Sequence, residues 1–293
     1  MDALTQHILI IIGINVISAL GLHIITGLTG QFSLAHATFA GIGAYTSALL
    51  TLNSNVPFPV ALLAGVVLAG IASALVGYPS LRLRGDYLAI ATLGFGEVFR
   101  VSMLNFKFTN GALGLHGILQ MTNLYWVAGG VAICIFLTYM MTKSRTGRIL
   151  TAIREDELIA ESFGVNLGKY KVFAFVMGGC FAGLAGGFYA HYLLFVNPTD
   201  FGVMKSVDIL LYIIIGGLGT IPGVLVGTAL LTGLPELLRP FAQYRMLAYG
   251  IGLVLIMVYR PSGLLGSVDS GSVLYKAYQR IRKTLKIPTV KNE

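Results

Sequence analysis

The fold is decided by the segment "VFAFVMGGCFAGLAGGFYAHYLLF", Val172 to Phe195, which contains no Lys, Arg, Asp or Glu. A helix needs about 20 apolar residues to cross the roughly 30 Å of hydrocarbon in a bilayer, and this segment is long enough. Small residues recur every four positions on two adjoining rows: Gly179, Gly183 and Gly187, and Gly178, Ala182 and Gly186. Because such rows let a second helix backbone approach closely in lipid, the segment predicts a transmembrane helix with a packing face.

The rest of the sequence has the same apolar character. Of the 293 residues, 56% are apolar and only 11% are charged, whereas a soluble domain carries about 25% charged residues. We predict an all-α, polytopic transmembrane bundle of about 8–10 spans, some of them broken or short. Residues 1–266 are predicted to form this domain, and residues 267–293 a basic cytoplasmic tail. The candidate spans are 8–28, 35–52, 58–78, 87–104, 124–142, 172–195, 206–218, 222–238 and 245–260.

The net charge of +8 comes from Lys and Arg that lie mostly between the apolar blocks and after them. Cytoplasmic loops carry an excess of Lys and Arg, so these residues orient the chain. With Met1 outside, 15 of the 20 basic residues fall inside, and they include those of segment 143–171 and of the tail. The pattern predicts a cytoplasmic C-terminus and contact with membrane lipid, and it does not point to nucleic-acid binding.

Motifs of soluble enzymes are missing from the sequence, among them GxxxxGK[ST], HExxH and GxSxG. The five histidines are scattered, so no metal site is predicted. We therefore predict a transport protein that is not an enzyme and binds no cofactor. One alternative is an ion-coupled secondary transporter, in which Glu97 or Asp208 would bind the coupling ion. Glu97 lies three residues before Arg100, however, and the two charges can neutralise each other on one helix.

Two glycine-rich segments interrupt apolar runs, one in each half of the chain. They are "GLTGQFSLAHATFAGIGAY", residues 27–45, and "IIIGGLGTIPGVLVG", residues 213–227. In a bilayer, unwound backbone is tolerated only inside protein or beside a water-filled cavity, so both segments are candidates for a translocation path. Gly30, Ser33 and His36 are the predicted path residues. Tight turns between spans at the inner surface explain the same glycines equally well.

A polar segment, "SRTGRILTAIREDELIAESFGVNLGKYK", separates the fifth and sixth candidate spans at Ser144–Lys171. Thr146 is expected to cap a helix that begins at Gly147, and Gly164 is expected to end it. The apolar residues expected near one face are Ile149, Ala152, Ile153, Ala160 and Phe163. A connection needs only a few residues, so this length indicates a separate role. An interfacial helix on lipid is one interpretation, but three successive acids after Arg154 favour docking onto a cytoplasmic protein.

Four stretches of the sequence carry a family resemblance: "GRILTAIREDELIAESFGVNL", "GQFSLAHATFAGIGAY", "LRLRGDYLAIATLGFGEVFR" and "YRPSGLLG". In this order, from about Gly27 to Gly266, the chain resembles the permease subunits of LIV-type ABC importers for branched-chain amino acids, the M subunit in particular. The resemblance implies that 143–171 is a cytoplasmic segment that couples the permease to an ATPase. The residues expected to make or fix this contact are Gly147, Arg148, Arg154, Glu155, Asp156 and Gly164.

The resemblance also implies partners and a location. The expected partners are a second permease of the H type, two cytoplasmic ATPase subunits and an extracytoplasmic substrate-binding protein. ATP and Mg would be used by the ATPase subunits and not by this chain. The expected location is the bacterial cytoplasmic membrane. Branched-chain amino acids are the first substrate hypothesis, and other amino acids, amides or urea are the alternatives within the same family.

Overall fold

The computed structural model describes residues 3–54, 56–80, 83, 85–237, 250, 254 and 263–265. Helix α1 covers Ala3–Leu22 and continues as a π-helix over His23–Leu28. The other helices are α2 His36–Ser54, α3 Phe58–Ser80, α4 Asp86–Asn105, α5 Leu124–Lys143, α6 Arg145–Glu155, α7 Glu157–Ser162, α8 Leu167–Leu193, α9 Val203–Gly216 and α10 Ile221–Leu237. Short 3₁₀ turns lie at Lys107–Thr109, Gly111–Leu113 and Pro198–Phe201. Two short strands, β1 Leu115–His116 and β2 Phe195–Val196, pair antiparallel.

Eight of the nine predicted spans correspond to helices, and the ninth, 245–260, lies almost wholly outside the described residues, as does the tail 267–293. Five helices in the described part are long and apolar enough to cross a membrane: Leu4–Leu28, Phe58–Pro79, Tyr87–Asn105, Leu124–Lys143 and Leu167–Leu193. Helices α9 and α10 are shorter, as the sequence predicts. The chain is therefore a multi-pass helical membrane protein, and the predicted fold class is confirmed.

Helix α8 lies at the centre of the bundle and packs against α1, α2 and α3. Its small-residue rows are the contact surfaces, as predicted. A Cβ on Gly186 would overlap the backbone of Ala40, and one on Gly178 would lie 2.7 Å from the Gly21 carbonyl oxygen. Because the backbones touch at these points, neighbouring helices approach α8 more closely than larger side chains would allow.

Helices α2 and α9 both begin beside the middle of α1. His36, the first residue of α2, bonds through Nε2 to the Ser18 carbonyl oxygen at 2.8 Å. The next residue, Ala37, donates its N–H to Oγ of Ser206 in the first turn of α9 at 3.0 Å. Ser18 lies nine residues before Gly27, which is about 14 Å along a helix. The chain between α1 and α2 thus runs back into the bundle, and Ser33 is fully buried there.

The second interrupted segment is a short turn between α9 and α10. Gly217 and Gly219 adopt positive φ angles of 120° and 94°. The N–H groups of Leu264 and Leu265, in the closing "GLLG" motif, donate to the carbonyl oxygens of Ile215 and Gly216 at 2.8 and 2.9 Å. These bonds satisfy carbonyl groups that the end of α9 would otherwise leave unpaired. The first interruption is therefore a return of the chain into the bundle, whereas the second is a turn stabilised by hydrogen bonds.

Candidate coupling site

The polar segment 143–171 forms helices α6 and α7 at the end of the bundle opposite β1 and β2. Helix α6 begins at Arg145, and Oγ of Ser144 accepts the N–H of Gly147 at 3.1 Å. The prediction of Thr146 as the cap and Gly147 as the first residue was therefore wrong. Ser144 has extended backbone angles and precedes the helix, as a capping residue must, whereas Thr146 lies inside the first turn. Gly147 packs against the carbonyl oxygens of Met141 and Thr142.

A second helix begins within the segment, which the sequence did not predict. Oδ1 of Asp156 accepts the N–H groups of Leu158 and Ile159 at 2.8 and 3.0 Å, so Asp156 caps α7. An Asp directly before Glu157 and an apolar pair is a start signal that the sequence did contain. Gly164 has φ +79° and follows the last turn of α7, as predicted.

The break at Asp156 changes which side chains face solvent. Leu150, Ile153 and Ala160 are buried, but Phe163 is 83% exposed. The prediction that Ile149, Ala152, Ile153, Ala160 and Phe163 lie near one face holds only in part, because Ala152 and Phe163 are exposed. For Phe163 the reason is that one helical period does not continue through the break. Leu158 and Ile159, on α7 just before Phe163, are 64% and 57% exposed. We call Leu158, Ile159 and Phe163 the α7 patch.

An ion pair fixes α7 to the bundle. Nζ of Lys171, in the second turn of α8, lies 2.6 Å from Oε1 of Glu157, and the Lys171 side chain is only 5% exposed. Removing one member of a buried pair leaves the other charge without compensation, although solvent at Glu157 reduces this cost. The pair therefore holds the α7 patch in a defined position.

Replacing Lys171 with methionine is expected to destabilise the protein by roughly 2 kcal/mol, which lowers its Tm by about 5 °C. The half-buried carboxylate of Glu157 would lose this ammonium partner. Thermal unfolding in detergent measures the change. Lys169→Met is the matched control, since Lys169 is an exposed lysine on the same helix. Equal Tm values for the two variants would contradict the structural role of the pair.

Arg154 connects the coupling segment to both interrupted segments. Its Nη1 donates to the carbonyl oxygen of Gly27 at 2.8 Å, and its Nη2 donates to Oε1 of Glu155 at 2.8 Å. A Cβ on Gly219 would lie 2.9 Å from Nη1, and one on Gly30 would lie 3.0 Å from Cγ of Arg154. Gly30 and Gly219 both have positive φ. The side chain of Arg154 thus lies where a larger residue at position 30 or 219 would crowd it.

The other predicted site residues lie in two places. Arg148 is exposed on α6 and donates to the carbonyl oxygen of Lys143 at 3.4 Å, and Glu155 is exposed beside Arg154. Ser33 and His36 are fully buried, and Oγ of Ser33 and Nδ1 of His36 have no hydrogen-bond partner among the described residues. Gly30 does not join them, because it lies at Arg154 near the end of α1.

Other acidic groups were candidates for ion coupling. Glu97 and Arg100 form the predicted pair, with Arg100 Nη2 2.7 Å from Oε2 of Glu97. Within the part of the chain that the structure describes, no group of three or more His, Cys, Asp or Glu side chains is placed to hold a metal ion. The most distinctive charged feature of the described residues is therefore the coupling segment, in which Arg154 contacts both interrupted segments.

Comparison with known proteins decides the family. The family described as "Branched-chain amino acid transport system / permease component" matches residues 4–259. The chain belongs to this family. The permease is 35% identical over 287 residues to the high-affinity branched-chain amino acid transport system permease protein LivM of Escherichia coli K12, a match that covers 86% of this chain and 68% of the relative.

More distant relatives carry names from the same family of permeases. The permease is 25% identical to the permease protein BraD of Pseudomonas aeruginosa, over 85% of this chain and 90% of the relative. It is 27% identical to LivH of Salmonella typhimurium, over 70% of this chain and 64% of that protein. No solved structure matches the chain significantly. The chain is therefore a transport permease subunit and not an enzyme, and the comparisons do not support an ion-coupled secondary transporter.

Proposed function

We propose that this chain is one permease subunit of an ATP-driven importer for branched-chain amino acids. Its partners are a second permease of the LivH type, two cytoplasmic ATPase subunits and an external substrate-binding protein. The observation that carries the proposal is the ordered segment 143–171, which presents the α7 patch at one end of the bundle and reaches both interrupted segments through Arg154. The printed names of the relatives support the substrate class.

The α7 patch fits a protein partner better than lipid. Its members are exposed apolar side chains: Leu158 and Ile159 lie on a helix of six residues, and Phe163 directly follows that helix. Exposed acids lie close to these residues in the sequence, among them Glu155 and Glu161. Anionic lipid headgroups would repel these charges, whereas a groove on a soluble ATPase with basic edges would complement both the apolar and the acidic groups.

The mechanism requires this chain to make or break no covalent bond. ATP and Mg are used in the ATPase subunits, and their movement displaces α6 and α7. Because Arg154 bonds the carbonyl of Gly27 and packs on Gly219, this displacement acts on the end of α1 and on the turn after α9. The two ends of the bundle then open alternately to the two sides of the membrane.

Orientation follows from charge. Lys143, Arg145, Arg148, Arg154, Lys169 and Lys171 all belong to the α6–α7 end of the bundle, so this end and the C-terminus face the cytoplasm. The opposite end carries β1, β2 and the turns at Lys107–Leu113. That end faces the substrate-binding protein, which delivers the amino acid.

Replacing Leu158 and Phe163 together with serine tests the docking surface. We expect the amount of ATPase that co-purifies with the permease pair to fall by about tenfold or more, since the loss of two apolar side chains that the ATPase would bury removes well over 1.4 kcal/mol of binding free energy. The matched control is Leu113→Ser with Leu119→Ser, two exposed leucines at the opposite end of the bundle. If the ATPase is retained equally by both double variants, the α7 patch is not the docking surface.

A further inference from the structure

A small cavity with both polar and apolar lining residues lies inside the bundle where α2 and α9 begin. Asn15 and Ser18 of α1, Tyr189 of α8, and Asp200 and Lys205 line it together with apolar residues. It stands beside the middle of the span Leu4–Leu28. Ionisable side chains at such a depth are costly in a membrane protein, and they mark the path of a polar substrate more often than a packing contact.

The polar groups of the cavity are arranged as opposite charges with spare hydrogen-bonding capacity. Nζ of Lys205 donates to Oδ1 of Asn15 at 3.2 Å, and the Tyr189 hydroxyl lies beside the Asp200 carboxylate. Asp200 and Asp208 both act electrostatically on Lys205. Oγ of Ser18 is buried, lines the cavity and has no hydrogen-bond partner among the described residues. A buried hydroxyl without a partner is costly, so it indicates a site that a polar ligand completes.

The N-terminus of α9 adds a preference for an anion on the side of the cavity where Lys205 lies. Lys205 lies in the first turn of α9, whose N-terminal N–H groups carry partial positive charge. A carboxylate near Lys205 would therefore meet both the ammonium group and the helix end. On the other side, Asp200 offers a carboxylate that can accept from an ammonium group. Much of the remaining lining is apolar and includes Ile14 and Ile209.

We propose that this cavity is a waypoint site for the zwitterionic head of an α-amino acid on its way through the permease. Lys205 and Asn15 hold the substrate carboxylate, and Asp200 with Tyr189 holds its ammonium group. The apolar side chain lies against Ile14 and Ile209. This inference rests on the proposed function and names the residues that would recognise the substrate class.

The structure shows the site in a contracted form. The cavity volume is about 30 Å³, which is room for one or two water molecules and not for leucine. Substrate entry therefore requires α9 to move away from α1. The turn at the far end of α9 contains Gly219, which packs on Arg154. Displacement of the coupling segment would thus move the helix that carries Lys205.

The first test uses the complete importer in proteoliposomes with leucine-loaded binding protein. Lys205→Met and Asp200→Asn are each expected to lower leucine uptake by about tenfold or more, the effect of losing one charge-assisted hydrogen bond. Stimulation of ATP hydrolysis by the loaded binding protein should stay near the wild-type level, because α6 and α7 are unchanged. Tyr139→Phe, which removes an exposed hydroxyl on α5 away from the cavity, should leave uptake unchanged.

The second test does not depend on the binding protein. Radiolabelled leucine is bound to the purified permease pair, and unlabelled leucine or leucinamide, which lacks the carboxylate, competes. Wild type should prefer leucine, and Lys205→Met should lose this preference while it remains folded. Wild-type uptake in both cavity variants, or equal competition by leucinamide in the wild type, overturns the waypoint site and leaves the proposed function standing. No ATP-driven uptake by the wild-type importer would defeat the proposed function itself.

Discussion

Replacing Arg154 with alanine is expected to lower ATP-driven leucine uptake by about tenfold or more while ATP hydrolysis continues. The variant loses the bond from Nη1 to the Gly27 carbonyl oxygen and the packing on Gly30 and Gly219. A hydrogen bond from a charged donor is worth about 1.5–3 kcal/mol, which corresponds to tenfold or more. Movement of α6 would then no longer be transmitted to the two interrupted segments. ATP hydrolysis would therefore be uncoupled from leucine transport.

Two further variants separate this role from simple loss of charge. Arg154→Lys keeps the charge but has no planar fork, so it cannot bond Gly27 and Glu155 at once and should restore uptake only in part. Arg145→Ala removes an exposed arginine from the same helix and should leave uptake unchanged. The ratio of leucine transported to ATP hydrolysed is the decisive readout. A wild-type ratio in Arg154→Ala would show that this arginine does not transmit the movement.

Replacing Gly186 with leucine is expected to abolish assembly of the folded permease. The new Cβ would overlap the backbone of Ala40, and the rest of the side chain has no space between α8 and α2. Overpacking a well-packed interior costs about 1–3 kcal/mol or more, and here the obstacle is backbone, which cannot rotate away. The expected result is little or no monodisperse protein after extraction in mild detergent, measured by size-exclusion chromatography.

Gly129→Leu is the matched control for the packing variant. Gly129 lies exposed on α5, and a Cβ added there meets nothing within 4 Å. Both variants add the same apolar side chain to a membrane helix, so a difference between them reports the close contact of α8 and α2. Normal yield and elution of Gly186→Leu would refute the packing role of the small-residue rows.

The spans and the central packing helix were predictable from the sequence because both depend on local properties. The membrane selects apolar runs of a certain length, and hydropathy alone places eight of the predicted spans on helices. The small residues of Val172–Phe195 predicted close helix contacts without knowledge of the partner helices. The family was likewise carried by local motifs, and the match over residues 4–259 confirms it.

The site was less predictable because its contacts join distant parts of the chain. Arg154 bonds Gly27 across 127 positions, and Lys205 bonds Asn15 across 190. Nothing in the local pattern around Arg154 indicates that its guanidinium reaches the carbonyl oxygen of Gly27. The depth at which α2 begins is set in the same way, by contacts of His36 and Ala37 with other helices. By contrast, the helix start at Asp156 is indicated by the local sequence, in which an Asp precedes Glu157 and an apolar pair.

The most direct test of the central claim is leucine uptake into proteoliposomes. The chain is reconstituted with its second permease, the two ATPase subunits and the binding protein, and in parallel alone under a proton or sodium gradient. We expect uptake only from the complete assembly and only with ATP. Gradient-driven uptake by the chain alone would contradict a permease that is moved by a separate ATPase.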